Sequence, residues 1–191
     1  MYKSLLQLYQ KDLTISQKDE LLCLKYFEAI KISKNTILED ENTIPKYLYF
    51  VVDGFVRLYH TNSKGEEVTT HINCPPGFIT SYFHFINRTK SNDTLACITD
   101  CQLLRISKTN LDTLNQESQS FKDFSIQVFQ QSLAYNEKRS QELATLTAEE
   151  RYIKLIEKQP EVLQFVPIQY IASFLGMNPK SLSRIRKQLS K

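Results

Sequence analysis

Apolar residues recur at mixed helical spacing near the start of the chain: Leu5, Leu6, Leu8, Leu13, Ile15, Leu21, Leu22, Leu24, Phe27 and Ile30. This pattern predicts helix over residues 3–31, broken at Leu13-Thr-Ile-Ser16, with Ser16 placed to cap the second segment. From Ile32 to Ser107 the period shortens. Six β-rich runs, Thr36–Glu39, Tyr47–Val52, Phe55–Thr61, Val68–Asn73, Leu95–Thr99 and Gln102–Ile106, are separated by turn signals such as Asp53-Gly54 and Asn62-Ser63-Lys64-Gly65. Short strands at even spacing predict an antiparallel sandwich or barrel. Ser81–Asn87 reads as one short helical insertion, and Ser107 as the cap of a short helix. A long helix is then expected from Gln119 to Thr145, about 40 Å at 1.5 Å per residue. At about 100° per residue, Phe121, Phe124, Val128 and Tyr135 form one stripe, and Ile126, Phe129 and Leu133 a second about 140° away. A surface helix needs one apolar stripe. Two imply burial on two sides, one against the helix's own β domain and one against a second copy, and the first stripe is taken as the dimer-forming one.

The last forty-odd residues carry a denser set of local signals. Thr147-Ala-Glu-Glu150 is a capping box opening a helix with Tyr152, Leu155 and Ile156 on one side, which ends before Pro160. Pro167 suits the first turn of a second helix, whose apolar set Ile168, Ile171, Ala172 and Leu175 follows i, i+3, i+4, i+7 spacing. Gly176 supplies a left-handed stop, Asn178 a cap and Pro179 a first helical position. In the third helix Leu182, Ile185 and Leu189 share one side, while Lys180, Arg184, Lys187 and Lys191 lie about 180–240° from Asn178 on the same wheel. Two helices joined by a turn of about three residues at Gly176-Met177, with small Ala172 at the crossing, form a helix-turn-helix pattern.

Charge sharpens this reading. The chain of 191 residues has a net charge of only +3, but residues 147–191 hold eight basic and four acidic groups. Five basic residues and no acidic one follow Asn178, which points to a polyanion as partner. The cationic side fits a major groove about 12 Å wide. Asn178, Ser181 and Ser183 add short hydrogen-bonding groups near the helix start. Arg184 can bind a guanine edge in bidentate fashion, Lys180 can take guanine or phosphate, and Arg186 is better placed for phosphate.

Other chemistry is thinly represented. Cys23, Cys74, Cys97 and Cys101 form no CxxC pair and are expected to be buried free thiols. His60, His71 and His84 are too far apart for an HxH metal site, and no Ser-His-Asp, Walker or dinucleotide pattern is present, so an enzyme is not expected. No metal or cofactor is predicted. A secretory signal and a membrane span are both missing from the pattern, which makes a cytoplasmic protein the expectation.

Ala148-Glu-Glu-Arg-Tyr-Ile-Lys-Leu-Ile156 and Pro167-Ile-Gln-Tyr-Ile-Ala-Ser-Phe-Leu-Gly-Met-Asn-Pro-Lys-Ser-Leu-Ser-Arg-Ile-Arg-Lys-Gln-Leu189 resemble the Crp/Fnr family of bacterial transcription regulators, most nearly the version common in the Bacteroidetes. The resemblance implies an α+β fold: N-terminal helices and an antiparallel, jelly-roll-like β-roll of the cyclic-nucleotide-binding type (residues 1–118), a long dimerisation helix (119–145) and a C-terminal winged helix-turn-helix (146–191). It also implies base-reading roles for Pro179, Lys180, Ser183 and Arg184, and phosphate contacts near Pro167 and Gln169. The segment between Glu157 and Pro167 is short for a wing hairpin. The implied partners are double-stranded DNA, a second copy of the chain and RNA polymerase.

The ligand loop departs from the family pattern. Cyclic-nucleotide binders use a Gly-Glu-Leu/Ile loop for the ribose and an Arg-Ser/Ala pair for the phosphate. Here Pro76-Gly77-Phe78-Ile79-Thr80 has no acidic residue. Counting from Gly77 places the arginine at Arg88, and counting back from Ile106 places Ser91 there. Gly77, Phe78, Ile79, Thr80, Arg88 and Ser91 are therefore the candidate effector-pocket residues. Cyclic AMP binding in the usual mode is not expected, and the small-molecule effector is unknown. The family's iron–sulfur version needs an N-terminal cysteine cluster, where this chain has only Cys23, and His71 or His84 alone makes a weak haem site. The competing function is a ligand-binding sensor that does not read DNA.

Overall fold

A computed structural model describes residues 1–10 and 15–189. Leu13 and Thr14 of the expected break, and Lys191 of the cationic side, lie outside the described residues. Helix α1 (Tyr2–Gln10) precedes α2 (Gln17–Tyr26), which opens with a reciprocal box: the Ser16 hydroxyl accepts from the Asp19 N–H and the Asp19 carboxylate accepts from the Ser16 N–H. The helical reading runs too far, however. Residues Glu28–Ile32 are strand β1, paired antiparallel with β8 (Cys101–Ser107).

The other strands are β2 (Ile37–Glu39), β3 (Tyr47–Asp53), β4 (Val56–Thr61), β5 (Glu67–Asn73), β6 (Gly77–Ile79) and β7 (Asp93–Cys97). They form two four-stranded antiparallel sheets, ordered β1-β8-β3-β6 and β2-β7-β4-β5. Strand periodicity explains the unbroken apolar run of β3. Tyr49 and Val51 point between the sheets with Val56, Leu95 and Leu103, while Leu48 and Phe50 point the other way, onto the helices. A strand buried on both faces cannot alternate with polar residues. Gly54, with φ of +88°, makes the turn between β3 and β4, where a Cβ would lie 2.4 Å from the Asp100 carbonyl.

Helix α3 (Tyr82–Asn87) interrupts the roll, and α4 (Lys108–Glu117) leaves it, capped by Ser107. Helix α5 (Gln119–Thr145) runs unbroken for 27 residues. Phe121 and Phe124 are buried in one cluster with Leu5, Tyr9, Leu22, Phe50 and Leu104, and Val128 is half-buried beside it. The stripe taken as dimer-forming is thus the one that docks on the chain's own roll. Ile126 and Leu133 of the second stripe stay 45% and 69% exposed, while Phe129 turns edge-on to Tyr82.

Beyond α5 lie α6 (Ala148–Lys158), α7 (Val162–Phe165), α8 (Ile168–Phe174) and α9 (Pro179–Leu189). The expected wing is not formed among the described residues, because α7 occupies the short stretch between α6 and α8. These helices share a core with the roll. Tyr152, Leu155, Val162, Ile171, Leu182 and Ile185 cluster with Phe55, Ile72 and Ile98. Cys23, Cys97 and Cys101 are buried, Cys74 is half-buried, and all four are free thiols. No helix among the described residues is long and apolar enough to cross a membrane.

Candidate nucleic-acid interface

Local backbone chemistry sets the angle between α8 and α9. Gly176 has φ of +65°. Its N–H donates to the Ser173 carbonyl at 3.0 Å, and the Met177 N–H donates to the Ala172 carbonyl at 3.0 Å. This pair of bonds satisfies the last carbonyls of α8 and needs a residue that tolerates the left-handed region. The Asn178 side-chain oxygen accepts from the Ser181 N–H at 2.8 Å, capping α9, and Pro179 follows in the first turn.

Helix α9 turns Leu182 and Ile185 inward. Lys180, Ser183, Arg184 and Lys187 are exposed on the other side, with Asn178 and Pro179 at its start. Ser181 and Arg186 are half-buried, and Arg186 has an interaction partner. Ser183 donates to the Pro179 carbonyl at 2.9 Å, so its hydrogen is already used. Leu189, expected inward, is 45% exposed. It lies in the final turn, beyond the last buried residue of the shared core. Gln169 is exposed in the first turn of α8. The acid-free end of the chain thus becomes one convex cationic surface.

Sequence reasoning missed the groups that fix this unit in place. The Arg139 guanidinium donates to the Phe174 carbonyl and lies 3.8 Å from the Phe174 ring. Arg151 donates to the Leu175 carbonyl at 2.9 Å and to the Leu146 carbonyl. On the roll side, the Thr69 N–H donates to the Ser173 hydroxyl at 2.9 Å, and that hydroxyl donates to the Glu67 carbonyl at 3.1 Å. Arg57, buried, lies between the Tyr59 and Tyr170 rings, 3.8 and 3.6 Å from their centres, and pairs with Glu67.

The expected effector-pocket residues separate. A cavity of about 380 Å³ is lined by Ile79 and Thr80, together with Thr70, His71, Ser81, His84 and Asn136 of α5. Gly77 sits against Asn73 instead, and Phe78 packs on Phe50 and Phe124. Arg88 is exposed, ends α3 with φ of +54° and donates to Thr109 at 3.2 Å. It does not reach the cavity. Ser91 is buried behind the wall and donates to Ser81 at 3.1 Å, and Ser81 donates to Asp93 at 2.6 Å. Among the described residues no lysine or arginine lines this cavity. Burial, reinforced by nearby Arg139, pushes the His71 imidazole down to about 4, which keeps it neutral near neutral pH. His71 and His84 both border the cavity, but the described residues hold no group of three or more potential metal ligands.

Residues 29–118 match the cyclic nucleotide-binding domain model. No curated protein matches the chain. Solved structures do. FixK2 from Bradyrhizobium japonicum is 18% identical with a TM-score of 0.73, covering 86% of this chain and 84% of its own. The c-di-GMP responsive global regulator CLP of Xanthomonas campestris is 18% identical with a TM-score of 0.69, covering 92% of each chain. A protein described as a transcriptional regulator of the Crp/Fnr family from Eubacterium rectale is 14% identical with a TM-score of 0.68, covering 92% of this chain and 84% of its own. The chain therefore matches the cyclic nucleotide-binding domain over residues 29–118 and shares the overall fold of Crp/Fnr-type regulators along most of its length.

Proposed function

We propose that this chain is a sequence-specific DNA-binding transcription regulator, not an enzyme, that acts as a cytoplasmic homodimer. The observation that carries the reading is α9. Its Leu182–Ile185 side is locked into the shared core, and its Lys180–Arg184–Lys187 side is left free behind a glycine-defined turn. In the helix-turn-helix arrangement such a second helix enters the major groove and reads bases with its first turns. Arg184 and Lys180 are assigned to base edges. Lys187, Arg186 and Gln169 are assigned to backbone phosphates, with Asn178, Pro179, Ser181 and Ser183 shaping the approach. Two copies joined along α5 would set the two reading helices about 34 Å apart, one helical turn of DNA. RNA polymerase is the natural further partner of a regulator bound in this way.

The β-roll is assigned a sensing role that does not use cyclic AMP in the usual mode. No lysine or arginine among the described residues lines the roll cavity to meet a phosphate, and the wall nearest Ser81 offers hydroxyls and a carboxylate instead.

The test is selection of bound genomic fragments by the intact protein and by Lys180→Ala and Arg184→Ala variants, with affinities measured over a salt series. Affinity should fall steeply with salt, with a log–log slope of about −0.9 per phosphate neutralised. Arg184→Ala should lose about 1–3 kcal/mol on the selected site and relax the preference at one base position. If both variants retain the same fragments as the parent, the base-reading assignment fails.

A further inference from the structure

The joint between α5, α6 and the end of α8 encloses a separate cavity of about 90 Å³. Leu155, Phe174 and Leu175 give it an apolar floor. Its rim carries Lys138 and Arg139 from α5 and Arg151, Lys154 and Lys158 from α6, against a single carboxylate among the described residues, Glu142. Glu142 is already paired with Lys154 at 3.2 Å. The rim is left with a surplus of four positive charges. Lys138 and Lys158 are exposed and have no ion-pair partner among the described residues. Like charges gathered around a low-dielectric concavity repel one another and focus positive potential into it. Burial holds the Arg139 guanidinium below its ordinary value despite Tyr135 and Glu142, and Arg151 lowers it further. The carbonyl bonds of Arg139 and Arg151 account for their positions but neutralise neither charge.

On the helical wheel of α5, Tyr135, Lys138, Arg139 and Glu142 lie about 130–170° from the mean direction of Ile126 and Leu133. The cleft therefore opens away from the exposed apolar stripe, and a second copy seated on that stripe would leave it accessible.

We infer that this cleft binds a small phosphorylated anion, its phosphate groups held between Lys138 of α5 and Lys158 of α6 with the two arginines behind. Such a ligand ties the long helix to the unit that carries α9. The site stands independently of the DNA-reading assignment.

The test is calorimetric titration of the full chain with inorganic pyrophosphate and, separately, with ATP and GTP. Each titration is run on the parent, on Lys138→Gln/Lys158→Gln, on Glu142→Gln and on Lys180→Ala/Arg184→Ala. The inference expects one site per chain. It should be weakened about a hundredfold or more by the paired lysine change, which removes two charge-assisted bonds. It should be strengthened by loss of the Glu142 carboxylate and be unaffected by the α9 changes. Tighter binding of a nucleotide than of pyrophosphate identifies a nucleotide as the source of the phosphates, and equal binding identifies the free anion. No binding by any of these anions, or binding that follows the α9 changes and ignores Lys138 and Lys158, overturns it.

Discussion

Arg57 shows how a single residue can hold distant parts of this chain together. Its charge is 5% exposed, stacked between Tyr59 and Tyr170 and paired with Glu67. One guanidinium nitrogen, Nη1, has no hydrogen-bond partner among the described residues. A desolvated cation gains about 1–2 kcal/mol from each aromatic face, so Tyr170→Leu should lower unfolding free energy by about 1–2 kcal/mol in urea titration. An unchanged midpoint would show that the stack contributes nothing. At Gly176 the positive φ and a Cβ position 3.1 Å from the Leu143 side chain both act against any larger residue. Gly176→Ala should cost about 1–2 kcal/mol, and Gly176→Asn less, because asparagine tolerates the left-handed region. His71 gives a pH signature. Burial, reinforced by Arg139, pushes its imidazole from 6.5 down to about 4, so the folded state holds it neutral while the unfolded chain protonates it. Stability from this group is complete above 6.5 and is lost as pH falls toward 4, by up to about 3 kcal/mol, reduced by the ring's partial exposure. His71→Gln should therefore lose less stability than the parent between pH 7 and pH 4. Equal losses in the two proteins would refute the assignment.

At the scale of elements, legibility followed how local the cause is. The cap at Asn178, the stop at Gly176 and the box at Thr147 each act within five residues, and each was readable from sequence and stands in the structure. Strand β1 was read as helix because Phe27 and Ile30 happen to fall three apart. Its pairing with β8 joins residues 69 to 77 positions apart, which no local pattern records. Strand β6 is only three residues long, too short to show a period. The two stripes of α5 were visible, but not which one faces inward, since both are apolar. The Arg139 and Arg151 bonds cross 35 and 24 positions and left no signal. The exposed stripe supplies a prediction at this scale. Leu133→Glu should leave the circular dichroism spectrum and melting of the chain unchanged but shift sedimentation from dimer to monomer. An unaltered sedimentation profile would move the dimer contact elsewhere.

At the scale of the whole molecule, the roll shares one of its buried clusters with the last four helices. Phe55, between β3 and β4, and Ile98, just after β7, are joined by an Ile98 N–H bond to the Phe55 carbonyl at 2.7 Å and sit among Tyr152, Val162 and Ile171, and Phe55 stacks on Phe165 with ring centres 5.4 Å apart. The expected outcome is a single cooperative heat-capacity peak for the full chain. Phe55→Ala should remove about 3–5 kcal/mol and split that peak in two. A single peak in the variant would mean that the two parts are coupled through other contacts. Nothing in the sequence announced this joint, because Phe55 and Ile98 lie 54 to 116 positions from Tyr152, Val162, Phe165 and Ile171. It also has a protective side. Strand β5 ends its sheet, and the Ser173 hydroxyl occupies both its Thr69 N–H and its Glu67 carbonyl. An uncovered strand margin of this kind recruits strands from other molecules. Helix α8 is thus also a cover for the roll, and any swing large enough to detach it leaves a sticky margin behind, so release of the C-terminal helices carries a risk of aggregation.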